Sequence, residues 1–176
     1  MAKCANLQSF TIDLCQGSLG GVKNVWLADY KDKAATVGTV SGETGVDVIT
    51  GFSTDVTWIQ IPIRKNTASY TSEVQVNEQN GNSVQTTLTV VLSRMDAAKR
   101  MTFNSLMLTD CMAVVEDANG NRVFLGYDNP VTMSSGTGQT GTAKTDANNY
   151  TIGLQDDSVA APYFLSPDVV LKTGGE

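Results

Sequence analysis

Residues 70–94 alternate between apolar and polar side chains, and this pattern constrains the fold more than any other feature of the sequence. The even positions are largely apolar: Val74, Val76, Val84, Leu88, Val90 and Leu92. The odd positions are largely polar: Thr71, Glu73, Gln75, Asn77, Gln85, Thr87 and Thr89. A two-residue period is typical of β-strands with one buried and one solvated face. It predicts a long hairpin with Val76 and Leu92 buried, and with Glu73, Gln75 and Thr87 not buried.

Asn80 and Gly81 mark the turn of this hairpin. Because Val76 and Val84 belong to the same face, an odd number of residues must separate the two strands. A loop of residues 79–81 meets this condition and gives Gly81 a positive φ, as in a type I turn with a G1 bulge. The cross-strand pairs that follow are Val76–Val84 and Ser72–Leu88.

A second hairpin is predicted around Asn119 and Gly120, 39 positions after the first Asn-Gly pair. A loop of residues 118–120 again gives its glycine a positive φ. The predicted cross-strand pairs are Ala113–Leu125, Val115–Val123 and Glu116–Arg122, the last of which is a favourable pair of charges.

The segment between the hairpins is predicted to be a helix over residues 96–109. Asp96 is a suitable N-cap, and good helix formers follow it. One helical stripe contains Ala98, Met101, Ser105 and Leu108, and is flanked by Phe103, Leu106 and Met107. We expect this helix to cover one side of a sheet.

The rest of the chain contains shorter alternating segments, predicted as strands over residues 7–14, 22–28, 56–63, 131–133, 150–154, 162–165 and 169–171. Two segments rich in Gly, Ser and Thr, residues 37–54 and 134–149, are predicted to be long excursions. The first is either extended or a loose hairpin, and residues 172–176 are expected to fray. The 176 residues fit one domain. The predicted class is mainly β, an antiparallel sandwich or barrel with one flanking helix and long extended loops.

Charge and composition exclude several classes of function. The net charge of −6 argues against tight binding to a phosphate backbone. The chain has no histidine, which removes the commonest general base and most zinc sites, so we expect no enzyme, no metal and no cofactor. Three cysteines, Cys4, Cys15 and Cys111, suggest buried thiols in a reducing compartment. Without a signal-peptide core or a membrane-spanning run, we expect a soluble protein made in the cytoplasm, or one exported without a cleaved signal.

Three short motifs favour structural over chemical interpretations. Residues 136–141 match G-x-G-x-x-G, but a dinucleotide site needs a helix after the motif, and a strand is predicted there. Asp117 and its neighbours match part of a calcium loop, but Arg122 stands where that loop needs glycine. Asp156 and Asp157 are expected in a solvated turn.

The order of these elements resembles that of the tail tube (major tail) proteins of tailed bacteriophages. The likeness covers residues 70–165: the long hairpin, the helix, the short hairpin that ends in Phe124-Leu125-Gly126-Tyr127, and Thr140-Gly141-Thr142-Ala143 leading to the strand over residues 150–154. It is a likeness of order and pattern, and the first 60 residues contribute little to it.

The resemblance implies a structural virion protein that forms stacked rings, each with six copies around a lumen that passes DNA without gripping it. Its expected partners are copies of itself and other phage tail or neck proteins, in the virion tail, after assembly in the bacterial cytoplasm and without membrane contact. The candidate lumen-facing residues are Glu73, Gln75, Asn77, Gln85, Thr87 and Thr89. The candidate inter-subunit residues are Val46, Val48, Ile49 and Phe52, because a segment like 37–54 has no obvious partner within a small domain. The alternative is a β-sandwich binding module, such as a head-decoration, neck or connector, or carbohydrate-binding domain.

Overall fold

The computed structural model describes residues 17–30, 35–39, 47–52, 56–76 and 81–174. Within these ranges the chain is mainly β, as predicted. Its elements are β1 Val22–Asp29, β2 Thr36–Thr39, β3 Asp47–Gly51, β4 Ile59–Ile61, β5 Ala68–Gln75, β6 Ser83–Ser93, α1 Ala97–Leu108, β7 Cys111–Asp117, β8 Arg122–Leu125, β9 Thr132–Gln139 and β10 Asn149–Ser158. The strand predicted over residues 7–14 lies outside the described residues.

Two four-stranded antiparallel sheets pack face to face. The first sheet has the order β4-β1-β7-β8, and the second has the order β5-β6-β10-β9. Alternate residues of each sheet point into the space between them and form one apolar core, which includes Val25 and Leu27 from the first sheet and Leu88, Val90 and Ile152 from the second. The alternation of apolar residues that predicted the strands therefore also selects the buried face.

The first sheet is buried on its other face as well. There Met112, Val114 and Phe124 form a second apolar cluster with Trp58, which is 1% exposed. The hairpin β2–β3 and residues 163–171 complete this layer. The apolar residues of β7 are therefore consecutive, because both sides of that strand need apolar side chains.

The register of the long hairpin differs from the prediction by two residues. Val74 pairs with Val84, and Tyr70 pairs with Leu88. A shift of two residues keeps every side chain on its face, so the apolar pattern cannot detect it. The observed register places two hydroxyl-bearing residues opposite each other, and the hydroxyl oxygens of Ser72 and Thr86 lie 2.9 Å apart. The predicted three-residue loop is therefore wrong, although Gly81 has the predicted positive φ of 84°.

The end of this hairpin extends beyond the first sheet. Leu92 is buried and Glu73 and Gln75 are exposed, as predicted, and Thr87 is half-buried. Val76, however, is 77% exposed, and Val74 is 63% exposed. The prediction that Val76 is buried is therefore wrong.

The second hairpin forms with the predicted register. Val115 pairs with Val123 and Glu116 with Arg122, and φ of Gly120 is 90°. The carboxylate of Asp117 accepts hydrogen bonds from the main-chain N–H groups of the loop, which are those of Asn119 at 2.9 Å and Asn121 at 2.8 Å. The residues that resemble part of a calcium loop therefore form a hydrogen-bonded turn.

The helix begins where the sequence predicts, but it presents another face to the sheets. The carboxylate of Asp96 accepts a hydrogen bond from the N–H of Lys99 at 2.8 Å and so caps the helix. Phe103 and Leu106 pack against the core, whereas Met101 and Leu108 of the predicted stripe are 69% and 82% exposed. Only the side of the helix that carries Phe103 and Leu106 therefore reaches the core.

The loop predicted over residues 134–149 is a strand for its first six residues, because β9 continues to Gln139. Its Gly136 and Gly138 pair with Ile152 and Tyr150. A Cβ atom at position 136 would lie 2.7 Å from the ring of Phe103, so the glycines make space for aromatic side chains. Residues 136–139 of the G-x-G-x-x-G match thus belong to the edge strand β9.

The end of the chain is held by single bridges. Of residues 162–165, predicted as a strand, only Phe164 and Leu165 form isolated bridges, with Val123 and Ile49. The strand predicted over residues 169–171 is wrong, since these residues form no bridge. The expected fraying of residues 172–174 is wrong, since the N–H of Trp58 donates to the carbonyl of Lys172 at 2.9 Å.

Candidate assembly surface

The outer face of the second sheet carries the predicted lumen-facing residues. Glu73 and Gln75 on β5 are exposed, and Gln85, Thr87 and Thr89 on β6 are half-buried. All five lie on the sheet face opposite the core, and Asn77 lies outside the described residues. The strand pattern therefore brings these side chains together on one continuous surface.

This surface is polar and acidic. The strands β5, β6, β9 and β10 contain no lysine and no arginine. Their outward carboxylates are Glu73 and Asp157. The side-chain amides of Gln85 and Gln155 donate to Asp157 at 3.2 and 2.9 Å. Such a face offers hydrogen-bonding groups but no cation for a phosphate backbone.

Both ends of the second sheet are edge strands, β5 and β9. The N–H of Val91 donates to the carbonyl of Thr67 at 2.9 Å, which makes residues 67 and 91 a hydrogen-bonded pair. In an antiparallel ladder such pairs alternate, and the register of β5 with β6 has no bulge. The main-chain groups of Tyr70, Ser72 and Val74 therefore point away from β6, toward the open edge.

The predicted inter-subunit residues lie inside the domain. Val48 is 8% exposed and Ile49 is 0% exposed, and the ring of Phe52 lies 5.1 Å from that of Trp58. The N–H of Ile49 also donates to the carbonyl of Phe164 at 2.8 Å. The expectation that this segment lacks an internal partner is wrong, because Ile49 and Phe52 pack in the second cluster and Val48 is also buried. Val46 lies outside the described residues.

Sequence reasoning missed a buried polar group between the sheets. Asp156 is 2% exposed, and its carboxylate accepts hydrogen bonds from the N–H of Gly126 at 3.1 Å and from the hydroxyl of Ser158 at 2.9 Å. Burial raises the pKa of this carboxyl group despite these two bonds, and the charges of Asp128 and Asp157 add to the effect. The prediction of a solvated turn is wrong. The even-numbered alternation of Ile152 and Leu154 continues to residue 156 and could have indicated its burial.

The other hairpin carries a charged cluster with a structural role. Lys23 and Asn24 donate to the two oxygens of Glu116 at 2.9 and 2.8 Å. Burial acts to raise the pKa of Glu116, but these bonds and the positive charges of Lys23 and Arg122 outweigh it, and the pKa is lowered. Arg122, which pairs with Glu116 in the ladder, donates instead to main-chain carbonyls of residues 166, 167 and 169.

The described part of the chain holds no group of three or more metal-binding side chains. In the same residues no helix is long and apolar enough to cross a bilayer. No protein-family model matches the sequence, and no curated protein sequence matches it.

Proposed function

We propose that this chain is a structural subunit that assembles with copies of itself into stacked rings, the role of the tail tube proteins that it resembles. The observation that carries the proposal is the second sheet, which has a polar outer face and two edge strands. In such a ring, β5 of one copy lies beside β9 of the next, and the polar face lines the lumen. The tube would form in the bacterial cytoplasm and become the tail of the virion.

The edge strand β5 supports this proposal because, within the described residues, it lacks the usual protection against pairing. Exposed edges in monomeric proteins are commonly blocked by proline, lysine, a bulge or a covering loop. β5 has eight residues, pairs without a bulge, and includes neither proline nor lysine. Its outward main-chain groups are suitable for pairing with another strand.

The charge of the outer face also supports the proposal. DNA that moves through a tube must not be held by its phosphates, and binding to phosphates depends on lysine and arginine. The four strands of the second sheet provide neither residue. We therefore expect DNA to pass through the lumen without being bound.

The state of assembly of the purified chain tests this function. Sedimentation and negative-stain microscopy over a range of concentrations should reveal rings or tubes with a central lumen. A chain that remains a monomer at every concentration, or that forms only irregular aggregates, would contradict the proposal.

A substitution at the edge of β5 tests the proposed contact. Val74→Pro removes an N–H that points away from β6, so it leaves the internal ladder intact and blocks pairing with another copy. Val74→Thr is the matched control, since it keeps the main-chain N–H and reduces the apolar surface of the side chain. We expect both variants to give the same circular dichroism spectrum and only the proline variant to lose rings. Rings from the proline variant would exclude this edge as the contact.

A groove on the first sheet favours a second candidate, a module that binds carbohydrate. The groove has a volume of about 640 Å³, and its lining includes Trp26, Phe164, Glu116 and Asn121. Aromatic rings beside polar side chains suit the faces and hydroxyls of sugars. A monomeric chain that binds sugars on a glycan array, and that loses this binding in Trp26→Ala, would support this candidate over the tube.

A further inference from the structure

The first sheet carries cations at the end where β1 begins. Arg64 and Lys65 follow β4, which runs antiparallel to β1. With Lys23 and Ile63 they line a groove of about 490 Å³. Lys23 is bound to Glu116. Arg64 and Lys65 are exposed, and within the described residues neither side chain has a hydrogen-bond or ion-pair partner.

A closed turn fixes the backbone that carries these two cations. The carbonyl of Arg64 accepts hydrogen bonds from the N–H of Thr67 at 3.2 Å and from its hydroxyl at 2.6 Å. Asn66 has a φ of 62°, in the left-handed region that asparagine tolerates better than most residues. Because the turn is already formed, a contact through Arg64 and Lys65 requires little further ordering of the chain.

The opposite end of the same sheet carries carboxylates. β1 ends at Asp29, which pairs with Cys111 at the start of β7. The N–H of Tyr30 donates to the carbonyl of Asp110 at 3.2 Å, and the phenol of Tyr30 donates to that of Asp128 at 3.4 Å. Asp110 and Asp128 are exposed. The eight residues of β1 therefore separate an acidic end from a basic end by about 25 Å.

Exposed apolar residues accompany the charges at both ends. At the basic end, Leu19 is 64% exposed and lines two separate grooves. At the acidic end, a groove of about 560 Å³ lies between β4 and α1, and its lining includes Ile59, Met101 and Asp29. Ile59 and Met101 are 63% and 69% exposed. Each end therefore has apolar surface for a partner to cover.

A second copy of this chain is the partner that fits both ends. The chain has a net charge of −6, so copies repel each other unless a cationic surface of one meets carboxylates of the next. Because the two ends differ in sign, the contact is head-to-tail rather than two-fold symmetric. A pair formed in this way still has one free end of each sign, and repetition of the contact produces a stack.

We propose that the basic end of the first sheet packs on the acidic end of the same sheet in another copy, with residues 64–65 facing Asp110 and Asp128. This contact deepens the proposed function and rests on it, because it joins one ring to the next. It is separate from the pairing of β5 with β9, which joins copies within a ring.

A charge swap tests this contact in the full chain. Lys65→Glu and Asp110→Lys each bring like charges together, so we expect either variant to form rings but to lose tubes in negative-stain microscopy. The double variant Lys65→Glu/Asp110→Lys keeps the net charge of the unmodified chain and reverses both partners, so tubes should return. Lys144→Glu is the matched control, because it makes the same charge change at an exposed lysine between β9 and β10. It should leave the tubes intact.

The outcomes distinguish this contact from the proposed function. Rings that still stack in both single variants, or that stay unstacked in the double variant, would overturn the head-to-tail contact and leave the rings standing. Loss of tubes in Lys144→Glu would attribute stacking to net charge alone and would also overturn the contact. Linear oligomers without a lumen, lost in the single variants and restored in the double variant, would support the contact and contradict the rings. A chain that stays monomeric at every concentration would overturn both.

Discussion

The carboxylate of Asp156 accepts a hydrogen bond of 3.1 Å from the main-chain N–H of Gly126. Asp156 belongs to β10 in the second sheet, and Gly126 directly follows β8 in the first. The bond therefore joins the two sheets inside the sandwich, where both residues are buried. A buried main-chain donor needs an acceptor, and Asp156 supplies it.

This relationship predicts a pH-dependent effect of Asp156→Asn. Burial raises the pKa of Asp156 above its ordinary value of 3.8. Its stabilising contribution is thus complete below the ordinary carboxyl pKa and is lost as the pH rises through the raised pKa. Asparagine can still accept from Gly126 and never ionises. We expect the stability of Asp156→Asn, relative to the unmodified chain, to increase as the pH rises from about 4 to about 8.

Urea unfolding at several pH values measures this difference. Asp157→Asn is the control, because Asp157 is exposed and should not reproduce the trend. Asp156→Ala removes the acceptor altogether and should be less stable than Asp156→Asn by about 1–3 kcal/mol. A relative stability of Asp156→Asn that is independent of pH would mean that the carboxylate is not buried in solution.

Arg122 is predicted to hold the end of the chain against the first sheet. Its guanidinium donates to the carbonyls of Ser166, Pro167 and Val169 at 2.9, 2.8 and 2.6 Å. A lysine ammonium cannot reproduce this planar arrangement of donors. We expect Arg122→Lys to lower the free energy of unfolding by about 1–3 kcal/mol, as measured by urea denaturation.

The matched control for Arg122 is Lys23→Ala. Lys23 forms a salt bridge with Glu116 at 2.9 Å, but its side chain is 61% exposed. Exposed ion pairs contribute at most about 1 kcal/mol. If Arg122→Lys were no more costly than this control, the three carbonyl contacts would not contribute to stability.

The sequence was sufficient to predict the β class, the second hairpin and the capped helix, because each follows from local signals. The loop around Gly120 contains its own hydrogen-bond acceptor, Asp117, so its register is decided within a few residues. The register of β5 on β6 depends instead on which residues face the first sheet. A shift of two residues leaves the alternation of apolar and polar side chains unchanged. Local sequence therefore cannot decide whether Val74 or Val76 pairs with Val84, and in the structure Val74 does.

The remaining errors arise from packing between distant segments. Gly136 and Gly138 were expected in a loop because glycine is common there, but here they fit against Phe103 and Tyr150. Ile49 is buried by residues more than a hundred positions away, including Leu165. The predicted polar face of the second sheet could be read from alternation alone, whereas its two open edges required the strand order.

The Cys111 thiol is predicted to be unreactive in the folded chain. It is 4% exposed, and its sulfur donates to the carbonyl of Val131 at 3.3 Å. Burial, with smaller contributions from Asp110 and Asp29, raises its pKa to about 12. Because the thiolate is the reactive form, almost none is present at pH 8.

Alkylation with iodoacetamide at pH 8 tests this prediction. The peptide that contains Cys111 should remain unmodified in the native chain and become fully modified in urea. Modification of the native chain at the rate of the unfolded chain would show that the space between the sheets is open to solvent.

Ile49→Ala separates a role in the core from a role between subunits. Ile49 is 0% exposed and contributes to the same cluster as Trp58 and Phe124. Loss of a fully buried isoleucine side chain usually costs about 2–5 kcal/mol. The control is Val170→Ala, because Val170 is 83% exposed and should change stability by less than about 0.5 kcal/mol. Unfolding of dilute monomer by urea measures both. A variant with unchanged monomer stability and impaired ring formation would place Ile49 at a contact between copies and would contradict its position in the core.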